Sequence, residues 1–286
     1  MMTSKTAIVW ALPVLSSSAW AAETDTAATA GLGGAGVAIH TGTDAIGRCP
    51  AAMVLAEEYS LELGFQLDGP WAEGWRGRAA LRDTRTSLFG AGVSYTRDRW
   101  NPEVTMDDLP GWATPSEDFS NNSVEESIRF GAGYALGHRA AGLGIGLVWD
   151  RLRTELEDPA QSFELDASVA GRVLPVVSLA ATARDLLPGS RDPSVDAGTW
   201  IRATDWFDVS VDAVWAGETV FGGRLGTQFT LGEVARIRAG GEWIGEERGA
   251  AAGIGFFGLQ SMLDYGIRYD LVSSGISHTI GLSLLF

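Results

Sequence analysis

The residues best suited to catalysis are few, and their spacing does not indicate an enzyme. The only histidines are His40, His138 and His278. None lies in the G-x-S-x-G turn that exposes a nucleophilic serine or in the H-E-x-x-H helix that binds zinc. Catalytic groups from distant positions can still converge in space, which keeps a hydrolase open as the weakest alternative. We expect no enzyme, no cofactor and no metal.

The glycine-rich stretch 31–36 is the next candidate for chemistry, because it matches the dinucleotide-binding pattern G-x-G-x-x-G, with Glu57 further along the chain. That pattern binds a pyrophosphate where a strand precedes it and a helix follows it. Here an Ala- and Thr-rich stretch precedes it, and no alternation of strands and helices follows. We therefore interpret the stretch as a turn-rich segment and not as a cofactor site.

The first residues predict export. Lys5, the apolar run 7–15 and the small residues of Ala19-Trp20-Ala21 are typical of a cleaved secretory signal peptide covering 1–21. The apolar run is shorter than the roughly 18 residues that a membrane-spanning helix needs. Cys49 is the single cysteine, so no disulfide within the chain can stabilise the exported protein.

The composition excludes nucleic acid as a partner and suits a β protein. The chain has a formal net charge of −15, 37 glycines and 11 tryptophans, whereas nucleic-acid-binding surfaces are basic. Two architectures remain, a soluble β-sandwich and a membrane barrel. In a sandwich the apolar faces meet a core, and in a membrane barrel they meet lipid while the polar faces line the lumen.

Strict alternation of apolar and polar residues begins at Tyr59 and recurs in segments of the length that crosses a tilted bilayer. Thirteen such segments are clear. Because bacterial barrels have an even number of strands, we assign a fourteenth to 74–83, with Arg76, Arg78 and Arg82 facing inward. The predicted strands are 59–68, 74–83, 86–96, 126–136, 143–150, 163–172, 176–185, 195–203, 207–216, 219–230, 236–243, 250–257, 261–270 and 278–286.

The lengths of the connections favour the barrel. Long connections at 97–125, 151–162, 186–194 and 271–277 alternate with short ones, as external loops alternate with periplasmic turns. The exceptions are two short external connections near 217 and at 244–249. Aromatic residues recur at predicted strand ends, as in an interfacial girdle. The sequence thus predicts an all-β, transmembrane antiparallel barrel of about 14 strands in the outer membrane of a Gram-negative bacterium.

Charged residues are predicted inside the barrel in nearly balanced numbers, which suits a filled lumen better than an ion-selective pore. The acids assigned inside are Glu62, Glu164, Asp166, Asp208, Asp212, Glu242 and Asp264. The arginines assigned inside are Arg78, Arg129, Arg172, Arg184, Arg202, Arg224, Arg238 and Arg268. The external loop carries Trp100, Trp112 and Phe119, which we expect to cap the barrel mouth or to contact a ligand.

The last strand carries the pattern Thr279, Gly281, Leu284 and Phe286. It resembles the signal that the bacterial barrel-assembly machinery reads: a polar residue, a glycine two positions later, and apolar or aromatic residues at the third-last and last positions. The resemblance implies that this machinery and outer-membrane lipid are partners.

Residues 31–53 resemble the N-terminal signature of the FadL-like superfamily of outer-membrane barrels, including its PorV/PorQ branch. The signature has a glycine-rich turn, an Asp-Ala pair and Asn-Pro-Ala, and this chain has Cys49 in place of the Asn. The resemblance implies a plug segment at 22–56 inside a barrel at 57–286. It implies plug or ligand-binding roles for Gly33, Gly34, Gly36, His40, Asp44, Arg48, Cys49 and Pro50.

The resemblance implies two alternative functions. A FadL-like barrel would admit a small hydrophobic molecule across the outer membrane. A PorV/PorQ-like accessory barrel would serve a partner in protein secretion or surface anchoring. Because one fold supports several functions, the sequence leaves both open.

Overall fold

The computed structural model describes residues 26–39, 41–69, 74–100, 123–154, 159–187, 193–217 and 220–286. These residues form a closed barrel of 14 antiparallel strands, in which each strand pairs with its neighbours in the sequence and the first pairs with the last. The predicted fold class is confirmed. The signal peptide, His40, Trp112 and Phe119 lie outside the described residues.

Among the described residues, three short helices precede the barrel: α1 (Ala27–Ala30), α2 (Ala45–Arg48) and α3 (Pro50–Met53). The first seven strands are β1 (Tyr59–Asp68), β2 (Gly74–Asp83), β3 (Phe89–Trp100), β4 (Ser123–Leu136), β5 (Ala141–Arg153), β6 (Ala160–Leu174) and β7 (Val177–Arg184). The other seven are β8 (Ser194–Thr204), β9 (Phe207–Ala216), β10 (Val220–Leu231), β11 (Ala235–Ile244), β12 (Glu247–Phe257), β13 (Ser261–Asp270) and β14 (Ile276–Leu285).

Alternation along each strand separates a polar interior from an apolar exterior. On β1, Glu62 and Gln66 are buried in the barrel, whereas Leu63 and Phe65 point outward and are 54% and 46% exposed. The same contrast recurs around the barrel, so that large apolar side chains cover its outer surface. An exposed apolar area of this extent is unfavourable in water. It matches the lipid-facing band of outer-membrane barrels.

The fourteenth strand, inferred from parity alone, is present as β2. Its arginines face inward as predicted. Arg82 is fully buried, Arg78 lies within 3.6 Å of Glu62, and Arg76 forms a bidentate ion pair with Asp98 of β3.

The strands around the longest connection extend further than predicted. The sequence predicts a loop at 97–125, but β3 continues to Trp100 and β4 begins at Ser123. Cross-strand pairs of charged residues continue the ladder there, including Arg97 with Glu126 and Asp98 with Glu125. Beyond the apolar band both faces of a strand are polar, so the hydrophobic alternation that marks a strand disappears while its hydrogen bonds continue.

The short segments before β1 occupy the interior of the barrel. Nearly all the described residues from Thr26 to Leu55 are buried, and α1, α2 and α3 pack against the inner faces of the strands. We call residues 26–58 the plug. Among the described residues, no helix is long and apolar enough to cross a membrane.

Candidate functional site

Inward-facing glycines of the barrel wall receive the plug. A β-carbon on Gly133 would lie 2.7 Å from the carbonyl oxygen of Pro50, and one on Gly266 would lie 2.7 Å from that of Ala27. Any larger side chain at these positions would displace the plug. Wall glycines with equally close plug contacts are Gly92, Gly131, Gly142, Gly144, Gly226, Gly240 and Gly253. They form two seats, one on β3–β5 for α2 and α3 and one on β10–β13 for residues 27–33.

Four arginines bind carbonyl oxygens at the ends of the plug helices. Short helices leave most of their backbone carbonyls without an internal partner, and buried carbonyls require one. The donor and acceptor pairs are Arg82 with Met53 (2.7 Å), Arg139 with Val54 (2.9 Å), Arg172 with Leu55 (2.7 Å) and Arg184 with Gly47 (3.0 Å). The plug is therefore fixed to the wall by charge-assisted hydrogen bonds.

Asp212 of β9 fixes the middle of the plug. Its carboxylate accepts hydrogen bonds from the backbone N–H groups of Gly36 at 2.6 Å and Val37 at 3.1 Å. Gly36 has a φ of 146°, a conformation that favours glycine. The glycine that the sequence singles out is thus needed to turn two N–H groups toward one wall carboxylate.

Asp44, the residue that precedes α2, contacts the start of the plug. It accepts hydrogen bonds from the backbone N–H of Thr26 at 3.1 Å and from its hydroxyl at 2.6 Å, and Arg78 of the wall lies 3.4 Å away. Burial raises the pKa of the Asp44 carboxyl, and the nearby Arg78 guanidinium acts against this rise. The adjacent Thr43 hydroxyl donates to Glu62.

Arg48 and Cys49 lie at the centre of the plug. Arg48 is buried and donates to the carbonyl of Gly34. Burial, followed by the nearby Arg224, lowers the pKa of Arg48 to about 9. Cys49 is fully buried, with its sulfur 3.9 Å from the carbonyl oxygen of Val169, and burial raises the pKa of its thiol.

A cavity of about 220 Å³ lies between the plug and the wall. Its apolar lining comes from Leu32 and Ile39 of the plug and from Trp200, Phe257 and Met262 of the wall. The wall residues lie in the halves of their strands that are nearer to both termini of the barrel. This is the periplasmic side of a bacterial barrel.

One wall of the cavity carries Arg236, whose positive charge is not paired with a carboxylate of the described residues. Within the described part of the chain, the guanidinium of Arg236 forms no hydrogen bond or ion pair, and its carbon atom lies 4.5 Å above the ring centre of Phe257. Neighbouring Arg238 is instead paired with Asp264, and its Nε donates a hydrogen bond to the side-chain oxygen of Gln228 at 2.9 Å. The cavity therefore has an apolar side and a polar side, and the polar side includes Asp208, Gln228 and Asp264 beside Arg236. Within the described residues, no group of three or more His, Cys, Asp or Glu side chains could hold a metal ion.

The site residues expected from the sequence divide into two groups. Gly33, Gly34 and Gly36 have positive φ values and lie against the wall, and Asp44, Arg48, Cys49 and Pro50 are buried in the plug. Of these seven, Asp44 lines the cavity. Trp100 ends β3 in the structure. Among the inward charges, Arg172 and Arg202 stand at the periplasmic rim and are exposed there, where Arg172 binds the plug carbonyl of Leu55 and Arg202 lines the cavity.

The wall aromatics of the cavity were missed by the sequence reasoning. A signal was present, since Trp200 and Phe257 fall on the inward side of their strands, where most residues of this barrel are small or charged. Asp196 was also missed, although it faces inward and lies 3.1 Å from Arg184.

The terminal strand closes the barrel. Thr279 is buried, Gly281 faces the plug, and the backbone N–H of Phe286 donates to the carbonyl of Tyr59 at 2.9 Å. The Phe286 ring packs edge-on against Tyr59 with ring centres 5.8 Å apart. Leu284 pairs with Leu61 on the outward face.

These features define a 14-strand outer-membrane type of β-barrel whose lumen is occupied by an N-terminal plug. No protein-family model matches the chain. No curated protein matches it either.

Solved structures with a similar fold include two proteins named for the passage of aromatic hydrocarbons. The toluene transporter TbuX of Ralstonia pickettii superposes with a TM-score of 0.72 at 12% sequence identity, over 92% of this chain and 99% of that one. The CymD monoaromatic hydrocarbon channel superposes with a TM-score of 0.68 at 13% identity, over 90% of this chain and 96% of that one.

Proposed function

We propose that this protein admits a small hydrophobic molecule, of the size of a single aromatic ring, across the outer membrane of a Gram-negative bacterium. The observation that carries the proposal is the partly apolar cavity between the plug and the wall. The fold shared with TbuX and CymD supports it, since both are named for the passage of aromatic hydrocarbons.

The volume of the cavity fits this class of ligand. An apolar cavity of roughly 150 Å³ is enough to bind benzene, and this one has about 220 Å³. Trp200 and Phe257 provide aromatic surface, and Leu32 and Ile39 of the plug complete the apolar side. A ring held there would contact the plug directly, so that ligand binding and plug position are coupled.

The interior is unsuited to ion conduction. Opposite charges alternate on the wall, as in the pairs of Arg184 with Asp196 at 3.1 Å and Arg224 with Glu242 at 3.7 Å. Ion-selective pores instead carry rings of one sign. With the plug seated, a molecule crosses the barrel only if part of the plug shifts, and residues 27–33 border the cavity.

Assembly in the membrane would use the terminal strand. Thr279, Gly281, Leu284 and Phe286 are the residues that we propose the barrel-assembly machinery reads. The apolar outer surface would then contact outer-membrane lipid, and the signal peptide would direct export.

The proposal is tested by filling the cavity. Ala28 of α1 lines it, so Ala28→Trp should occupy the ligand volume. We expect toluene binding to the purified full chain, measured by depletion from the headspace, to fall about tenfold, because a ligand excluded from its cavity loses its apolar contacts. Toluene accumulation by cells that produce the variant should fall with it.

The matched control is Ala197→Trp, which places the same side chain on the lipid-facing side of β8. It should leave both measurements unchanged. Equal toluene binding and accumulation by wild type and Ala28→Trp would rule out this cavity as the ligand site. Co-purification of a secretion partner, with no uptake, would favour the accessory role that the PorV/PorQ resemblance implies.

A further inference from the structure

A cluster of four arginines lies on the outer surface of β3 and β5, at the end of the barrel that carries the longest connection. The members are Arg97, Arg99, Arg151 and Arg153. All four face outward, away from the lumen. We call them the arginine patch.

The patch stands directly beyond the aromatic level of the barrel. Register across β3, β4 and β5 aligns Tyr95, Ile128 and Trp149 in one outward row. The next row toward the medium is Arg97, Glu126 and Arg151, and the one after it is Arg99, Val124 and Arg153. Tyrosine and tryptophan mark the interface between lipid and water in membrane proteins. The arginines therefore stand at the height of the lipid headgroups.

Two members of the patch, Arg97 and Arg151, carry its uncompensated positive charge. Glu126 is the outward-facing acid within these described strands, and its two oxygens accept from the Arg153 guanidinium at 3.0 Å and from the Tyr95 hydroxyl at 3.2 Å. Within the described residues, Arg97 and Arg151 on either side of it form no hydrogen bond or ion pair. The Nε of Arg151 is also buried without a hydrogen-bond partner.

An outward-facing cluster of arginines is unusual for this chain. Its formal net charge is −15, and most arginines of the described strands point into the lumen. Neighbouring strands are about 5 Å apart and β4 lies between β3 and β5, so the backbones of Arg97 and Arg151 are about 10 Å apart in one row, and their long side chains can reach the same phosphate group. Guanidinium groups bind phosphate through paired hydrogen bonds.

We propose that the arginine patch binds the phosphate groups of an outer-leaflet lipid, of the chemistry of diphosphoryl lipid A. The lipid chains would lie against the apolar band below the patch, and the phosphates would neutralise the arginines. This inference rests on the orientation of the barrel and is independent of what passes through it.

The test compares lipids that differ only in their phosphates. The purified full chain in detergent is titrated with diphosphoryl lipid A or with dephosphorylated lipid A, and bound lipid is quantified by native mass spectrometry. We expect wild type to bind the phosphorylated lipid at least about tenfold more tightly, because several charge-assisted hydrogen bonds depend on the phosphates. Inorganic phosphate at equal concentration should not displace it.

The variant Arg97→Gln/Arg151→Gln should lose this preference while its band remains heat-modifiable. Its control is Arg248→Gln, which removes a single exposed, outward-facing arginine at the same end of β12. That control should bind both lipids as wild type does.

Three results would overturn the proposal. Equal affinity of wild type for the two lipids would mean that the patch does not recognise the phosphates. An equal loss in Arg248→Gln would mean that net charge alone governs binding. Displacement by inorganic phosphate would replace the lipid with a free anion as the ligand. The wild-type comparison decides the question even if the double variant does not assemble.

Discussion

Cys49 reports on whether the plug is seated. Its sulfur is buried between the plug and β6, and the raised pKa of its thiol lowers the fraction of reactive thiolate. We expect a bulky water-soluble maleimide to label Cys49 at least about a hundredfold more slowly in the native barrel than in the urea-unfolded chain, because labelling requires local opening. The rate is measured by mass spectrometry.

The control for this labelling carries Cys49→Ser together with Ser273→Cys. Ser273 is exposed in the turn between β13 and β14, so its replacement should react at the same rate in both states. Labelling of Cys49 at its unfolded rate in the native barrel would contradict a seated plug.

Individual side chains were partly predictable. The sequence indicated that Gly36 and Cys49 lie in an interior segment, because a glycine-rich turn and a proline stand directly before the first strand. It did not indicate Asp212 as the acceptor for Gly36, since the two are far apart in the chain and β9 is one of several strands with an inward acid. Contacts of this kind depend on which part of the wall the plug meets.

The strands are predictable because one physical rule governs them all. A residue facing lipid must be apolar and its neighbour facing the lumen can be polar, so alternation persists for as long as the strand is in the bilayer. This is why even β2, with three arginines on one face, was found. The plug helices were not predicted, since each has four residues, too few for a helical period to appear.

The depth of an outward side chain should determine the effect of a charge on each strand. Leu147 lies in the middle of β5 and Leu231 at the periplasmic end of β10, and both point outward with 51% and 53% exposure. We expect Leu147→Arg to lower the free energy of unfolding in lipid vesicles by about 2–4 kcal/mol and Leu231→Arg by about 0–1 kcal/mol.

These two substitutions control for each other, because the residue type, the exposure and the introduced charge are the same. Urea titration of the folded and unfolded bands measures the difference. Similar losses at both positions would argue that depth in a bilayer is not what distinguishes them, and that these strands do not meet lipid as proposed.

At the scale of the whole molecule, the plug and the barrel are complementary parts of one core. The wall contributes glycines where the plug backbone touches it and arginines where the plug leaves carbonyl oxygens exposed. The sequence predicted a filled lumen from its balanced charges. It did not predict which wall residues contact the plug backbone and which bind its carbonyl oxygens. From the sequence alone, an inward glycine is expected to destabilise its strand. Its role becomes clear only when the segment that packs against it is known.

Removing part of the plug should open the lumen of the barrel without preventing the barrel from assembling. Deleting residues 24–47 removes α1, most of α2 and the contacts to Asp212, and leaves the seats on β10–β13 empty. The strands and their closing pair β1 and β14 are untouched, so we expect a heat-modifiable barrel at near wild-type levels.

The lumen of this shortened protein should admit small sugars, because the segment that fills one side of it is gone. Swelling of liposomes that contain the purified variant measures this permeability. The control is Thr41→Ser, a conservative change at an exposed position of the same segment, and it should swell no faster than wild type. If the deletion assembles and its permeability equals that of wild type, residues 24–47 do not close the barrel, and a transport route through a shifting plug would have to be given up.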